Sequence, residues 1–185
     1  MDELCQEVGF KYDVLTADID EKAIRREDPS ELVTLLARAK ADAIQGRMED
    51  KEKSKEENAL LITCDQVVVH QGSILEKPVD EQEARKFIGG YAHAPASTVG
   101  AIAVTQVSSG KVELDVDTAT VYFNPIPKET TDALIEEGEV FYAAGGLLVE
   151  HDLVQPHVVK IDGTMDSIMG LPKSLVLSLL SKFFD

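Results

Sequence analysis

The chain has 185 residues and a formal net charge of −16 at pH 7. That length suits one domain, able to bury about two thirds or more of its unfolded surface. The negative charge repels polyphosphate backbones at long range, which argues against coating of DNA or RNA through many Lys and Arg contacts, but leaves room for one small anion held by a few local cations.

In chain order, the first strand candidate is Tyr12 to Thr16, followed by the acidic turn Asp18, Ile19, Asp20, Glu21. A helix is announced at Asp28, Pro29, Ser30, Glu31, with Asp28 as cap, Pro29 at the first helical position and Glu31 completing a capping box. Leu32, Val33, Leu36, Ala39, Ala43 and Ile44 form its apolar side, and it should run to about Gly46. Residues 47 to 58, RMEDKEKSKEEN, carry almost no apolar side chains and read as a solvated loop or frayed helix end. Ala59 to Thr63 and Val67 to Val69 are two apolar runs of strand character, with Asp65 between them and a Gln71-Gly72 turn into Ser73 to Leu75. Asp80 and Glu83 have capping-box spacing for a second helix that the Gly89-Gly90 pair should stop. Thr98 to Val107 and Val112 to Phe123 read as strands joined by Ser108-Ser109-Gly110. Pro127 starts a helix that Gly138 ends, and Pro172 starts the last one, through Phe184. Ala143 to Gly170 reads as a long irregular stretch bearing Gly145, Gly146, Gly163 and Gly170, the kind of segment that often carries function. Strands alternating with helices predict an α/β or α+β layered domain.

The two cysteines, Cys5 and Cys64, have no CxxC spacing and build neither a disulfide framework nor a zinc site, which points to a reducing compartment. No apolar run approaches the roughly 18 residues of a membrane helix, and MDELCQEVGF lacks a basic segment followed by an apolar one, so a soluble cytoplasmic protein is expected.

Three charged positions stand out. Lys40 falls between Val33 and Leu36 on a helix advancing about 100° per residue, inside the apolar stripe; its stem snorkels to the edge of the stripe, or its ammonium meets a ligand. Asp65 follows an apolar strand, and a carboxylate beyond a strand's carboxyl end is well sited for general-base chemistry; the alternative is a turn-forming Asp capping a backbone NH. Lys77, held in an extended segment by Pro78, could face Asp65 across the hairpin. Asp18, Asp20 and Glu21 offer hard oxygens to Mg²⁺, or are simply a solvated turn. His93, His151 and His157 have no helical i, i+4 partner and read as structural or exposed. The sequence contains no GxxxxGK[ST] loop, no GxGxxG after a strand and no GxSxG elbow.

Taken in order, Asp18-Ile19-Asp20-Glu21, Leu36-Ala37-Arg38-Ala39-Lys40-Ala41, Cys64-Asp65-Gln66-Val67-Val68, Glu76-Lys77-Pro78, Ala144-Gly145-Gly146 and Gly170-Leu171-Pro172 resemble the Maf family of nucleotide pyrophosphatases across nearly the whole chain. The resemblance implies a single compact, bilobed α/β domain over residues 1–185, with an elongated mixed sheet flanked by helices. It further implies hydrolysis of a nucleoside triphosphate to the monophosphate and pyrophosphate with Mg²⁺ or Mn²⁺, and a homodimer. By the same resemblance Asp65 is the general base, Lys40 and Lys77 bind phosphates, and Glu21 and Asp65 lie at the metal. Gln66 stands where the dTTP and UTP branch usually has Thr, and Glu150 where that branch has Gln; both look like the 7-methyl-GTP branch. A carboxylate also suits guanine, whose N1 and N2 hydrogens are donors, and N7 methylation adds a positive charge. dTTP or UTP is the other substrate class in view. The family normally opens with a strand and an SxSxxR loop, and this sequence starts after that point, at Met1-Asp2-Glu3-Leu4, with Arg25 and Arg26 outside the motif. Altered pairing, a partner chain or reduced stability is the expected result. A protein that binds nucleotides and forms dimers without turnover is the alternative function.

Overall fold

Helix α1, Pro29–Arg47, starts where its sequence signals place it: the Asp28 side chain accepts from the Glu31 amide at 2.9 Å. Such a cap satisfies a backbone donor that the first turn leaves without a helical partner. In the computed structural model of the chain, which describes residues 11–48 and 59–184, α1 buries Leu32, Val33, Leu36, Ala37, Ala41 and Ile44. Ala39 and Ala43, expected on that face, are only half-buried, because the buried stripe is centred one helical step away on Ala37 and Ala41. Tyr12 to Thr16 is irregular rather than a strand, tied to the end of α1 by the Arg47 guanidinium, which donates to the Thr16 carbonyl. Most of the polar stretch 47 to 58, like the N-terminal ten residues with Cys5, lies outside the described residues.

Strand β1, Leu60–His70, is continuous, so the two apolar runs are one strand and Asp65 sits inside it rather than at its end. The polar pair Asp65-Gln66 does not interrupt an otherwise aliphatic, β-branched run, because a strand tolerates polar side chains wherever one face is not packed. Gln71 and Gly72, at φ 49° and 77°, form the two-residue turn into β2, Ser73–Leu75. Positive φ at both central residues is the twist that antiparallel hairpins favour. The register pairs Val68 with Leu75, Val69 with Ile74 and His70 with Ser73.

Helix α2, Glu81–Gly90, is capped by Asp80, which accepts from the Glu83 amide at 2.8 Å, while the Glu83 carboxylate accepts from the Val79 amide at 2.9 Å. The helix ends at Gly90, within the Gly89-Gly90 pair expected to stop it. Gly90 has a packing reason to lack a side chain, since a Cβ there would lie 3.0 Å from the His70 ring. Strands β3, Ala96–Gln106, and β4, Val112–Phe123, precede helix α3, Lys128–Glu137, which ends at Gly138 with φ 83°. The stretch Ala143 to Gly170, expected to be irregular, contains strand β5, Val158–Asp162, and a short helix α4, Met165–Ile168. Helix α5 closes the described chain at Lys173–Ser181, a turn short of the expected Phe184. The sheet order is β2-β1-β3-β4-β5, and the pairs at both edges, β1 with β2 and β4 with β5, are antiparallel. The near-continuous apolar run of β3 explains its place in the middle, buried along almost its whole length.

The chain divides into two compact units. The first comprises the residues up to Asp65, Ala101–Asp117 and those from Leu171. It contains a cluster of Ile102, Val104, Val176, Leu179 and Leu180. The second comprises Gln66–Gly100 and Thr118–Gly170, and its larger core includes Val68, Ile88, Tyr91, Val121, Leu134 and Val149. Within it the buried Tyr91 hydroxyl donates to the Gly145 carbonyl at 2.6 Å, and the Gly145 amide donates to the Glu76 carbonyl at 2.9 Å. Burial pushes the Tyr91 phenol up, so it stays protonated and remains a donor. Gly145 has φ 64°, and a Cβ on it would meet the Tyr91 oxygen at 2.5 Å and Val68 at 3.0 Å. Gly145→Ala is therefore expected to destabilise by about 2–4 kcal/mol, and Tyr91→Phe by about 1–2 kcal/mol, both read from denaturant melts. A Gly145→Ala protein as stable as the parent would show that the loop relaxes freely.

Candidate active site

Lys40 is an anomaly that the fold explains. Its helical angle places it within the buried stripe of α1, and its side chain is 20 % exposed. The ammonium meets Asp65 Oδ1 at 2.7 Å, Glu21 Oε1 at 2.9 Å and the Cys64 carbonyl at 3.4 Å. Alignment of α1 on β1 comes from Thr63, whose buried hydroxyl donates to the Ala37 carbonyl at 2.8 Å, one turn before Lys40. Glu21 opens the short 3-10 turn Glu21–Ala23, which Asp20 caps by accepting from the Lys22 amide at 3.1 Å. Asp20 is thereby engaged with backbone, whereas Glu21 reaches the ammonium. Burial pulls the Lys40 pKa down, but hydrogen bonds to Asp65 and Glu21, together with their charges, outweigh it and hold the ammonium above its ordinary 10.5.

A lysine whose folded pKa is raised contributes stability that is complete below its unfolded value, here 10.5, and lost as pH climbs through the folded value. The stability gap between the parent and Lys40→Met is thus expected to be flat through neutral pH and to close only above pH 10.5, followed by urea melts across that range. A gap that shrinks between pH 6 and 9, roughly the interval in which an ordinary lysine stays charged, would contradict this assignment.

In the second unit, Gln66, Lys77 and Glu150 line one cavity of about 290 Å³, together with Val68, Thr98, Tyr142 and Met169 among others. That volume approaches the lower end of the range for small-molecule sites, about 300–1,000 Å³. The Gln66 amide donates to the Ser167 carbonyl at 2.8 Å, which fixes the side chain with its oxygen as the remaining acceptor. Continuing the β1–β2 register carries Lys77 to the level of Gln66. Glu150 is exposed, and its carbonyl accepts from the Gln155 side chain at 3.0 Å.

Residues 2–183 match the family described as Maf-like protein. This chain belongs to that family. It is similar to a 7-methyl-GTP pyrophosphatase of Dictyostelium discoideum, with 38 % identity over 176 residues, covering 95 % of this chain and 88 % of that protein. It is similar to a dTTP/UTP pyrophosphatase of Pelotomaculum thermopropionicum, with 27 % identity over 181 residues, covering 98 % and 90 %. A 7-methyl-GTP pyrophosphatase of Idiomarina loihiensis is 29 % identical over 178 residues, covering 96 % and 87 %.

Within this Maf-like chain, the sequence-predicted residues fall into two groups. Glu21, Lys40 and Asp65 are joined by direct contacts, and Gln66, Lys77 and Glu150 share a cavity. Asp65 and Gln66 are consecutive residues of β1. His151 pairs with Glu137 at 2.8 Å and His93 is exposed, in keeping with structural or solvent roles. Tyr142, Thr98 and Met169 were not foreseen at the cavity; an aromatic or Met in sequence looks the same whether it packs inward or rims an opening. Among the described residues no cluster of three or more His, Cys, Asp or Glu is built for a metal. Mg²⁺, however, usually takes one or two protein carboxylates and completes its shell with water and phosphate. Glu21 and Asp65, two hard oxygen donors converging on one ammonium, fit that demand. No helix of the described chain is long and apolar enough to cross a membrane.

Proposed function

We propose that this chain is a nucleoside triphosphate pyrophosphatase that prefers 7-methyl-GTP-like substrates over dTTP and UTP. The observation that carries the reading is the convergence of Asp65 and Glu21 on Lys40, a carboxylate base and a metal-type carboxylate held around one cation. Lys40 and Lys77 bind phosphate oxygens, and Asp65 accepts a proton from the water that attacks the α-phosphorus. The bond from that phosphorus to the bridging oxygen breaks, and pyrophosphate leaves with the electron pair. Glu21 and Asp65 would hold Mg²⁺ or Mn²⁺, which would supply charge neutralisation at the phosphates. Lys40 stays an ammonium throughout neutral pH, as any lysine at or above 10.5 does, so its charge is available whenever substrate arrives.

Gln66 and Glu150 read the base. The Gln66 oxygen and the Glu150 carboxylate are acceptors, which suit the adjacent N1 and N2 donors of guanine better than the mixed edge of a pyrimidine. The similarity to two proteins named as 7-methyl-GTP pyrophosphatases supports the same choice. In this reading the enzyme works in the cytoplasm as a homodimer, as the family resemblance implies, on free nucleotides rather than on a nucleic-acid polymer or a membrane.

The test is product analysis over 7-methyl-GTP, GTP, dTTP and UTP, with EDTA and with added Mg²⁺ or Mn²⁺. Expected are equimolar monophosphate and pyrophosphate, no turnover in EDTA, and a preference for 7-methyl-GTP that falls roughly tenfold in Glu150→Gln, as befits loss of one charged hydrogen bond. Release of orthophosphate as first product, or metal-independent turnover, would sink the proposal.

A further inference from the structure

The cavity of the second unit holds one aromatic ring that none of these roles uses. Tyr142 ends the 3-10 turn Glu139–Tyr142, lines the cavity and is 81 % exposed. The turn is not loose: Val140 is fully buried, and Phe141 packs against the core of the same unit. Tyr142 is thus presented to solvent from an anchored turn, at the cost of leaving a large apolar ring in water. Met169, 62 % exposed, lines the same cavity. Two exposed large hydrophobic side chains bordering one opening beside Gln66, Lys77 and Glu150 are what a planar ligand needs in addition to edge contacts.

We propose that Tyr142 is the stacking face for the base of a 7-methylated guanine nucleotide. This rests on the nucleotide reading above and extends it from the edge of the base to its faces. Gln66 and Glu150 can engage donors in the plane of the ring, but they cannot cover its π surface. Methylation at N7 places a positive charge on that ring system, and the negative face of a phenol attracts it more strongly than it attracts neutral guanine. Discrimination therefore comes from two independent sources, a carboxylate at the edge and a ring on the face.

The experiment is calorimetric titration of 7-methyl-GMP and GMP into the parent protein, Tyr142→Leu and Tyr142→Phe, with thermal melts of each variant. Because Tyr142 is exposed, all three proteins are expected to melt alike. Tyr142→Leu should weaken 7-methyl-GMP roughly tenfold and GMP by less, while Tyr142→Phe, which keeps the ring face, should stay within about twofold of the parent. Unchanged affinity in Tyr142→Leu, equal losses for the two nucleotides, or a Phe variant as weak as the Leu variant would overturn the proposal. Failure of the parent to bind either nucleotide would do the same. Pyrophosphate release from 7-methyl-GTP is measured in parallel. Ring-dependent binding without release would uphold the stacking face and remove the catalytic reading.

Discussion

Asp65→Asn is expected to lower turnover by about 10²–10⁴-fold while leaving the fold intact. The amide matches the carboxylate in shape and can still accept from Lys40, whose Nζ lies 2.7 Å from Oδ1, so packing between α1 and β1 is preserved. What it cannot do is take a proton from water. The decisive measurement is kcat at saturating substrate alongside an urea melt. A variant that melts like the parent and turns over at the parental rate would remove Asp65 from the chemistry, and with it the central assignment.

Lys40→Met is the second large effect, with an expected fall of about 10²–10³-fold in kcat/KM, the scale on which one preorganised charge donor acts. Two consequences pull apart here. The phosphates lose a cation, but Glu21 and Asp65 lose the competitor that now holds both of them. Mn²⁺ binding, titrated by electron paramagnetic resonance, should therefore be as tight as in the parent or tighter, even as catalysis collapses. Loss of both together would mean that Lys40 only holds the site in shape. Lys40→Arg should recover part of the binding and little of the rate, because a planar fork does not replace a compact ammonium.

The two predictions lean on features that were unequally legible. The capped helices could be read directly, because Asp28 and Asp80 are local signals that satisfy local donors. The Gln71-Gly72 turn was legible for the same reason. Lys40 could be singled out by periodicity alone, but its pairing with both Glu21 and Asp65 is a long-range contact that no spacing rule encodes. Asp65 looks like the end of a strand because two polar residues interrupt an apolar run, whereas β1 runs unbroken from Leu60 to His70. Strand β5 was missed because it is an edge strand, mostly half-buried or exposed, so it lacks the alternation a packed face would impose. The Gly89-Gly90 pair marks the end of α2, but the approach of His70 to Gly90 is something only tertiary packing reveals.

The tight hairpin at Gln71 and Gly72 has an evolutionary implication. Solvent-facing turns usually absorb insertions freely. This one sets the count of residues between Gln66 and Lys77, so a single added residue would slide the returning segment by one step and turn the lysine to the opposite side of the chain. Substitutions that keep positive φ at both positions should drift readily through descendants, whereas changes of length should be purged despite the absence of any buried side chain there.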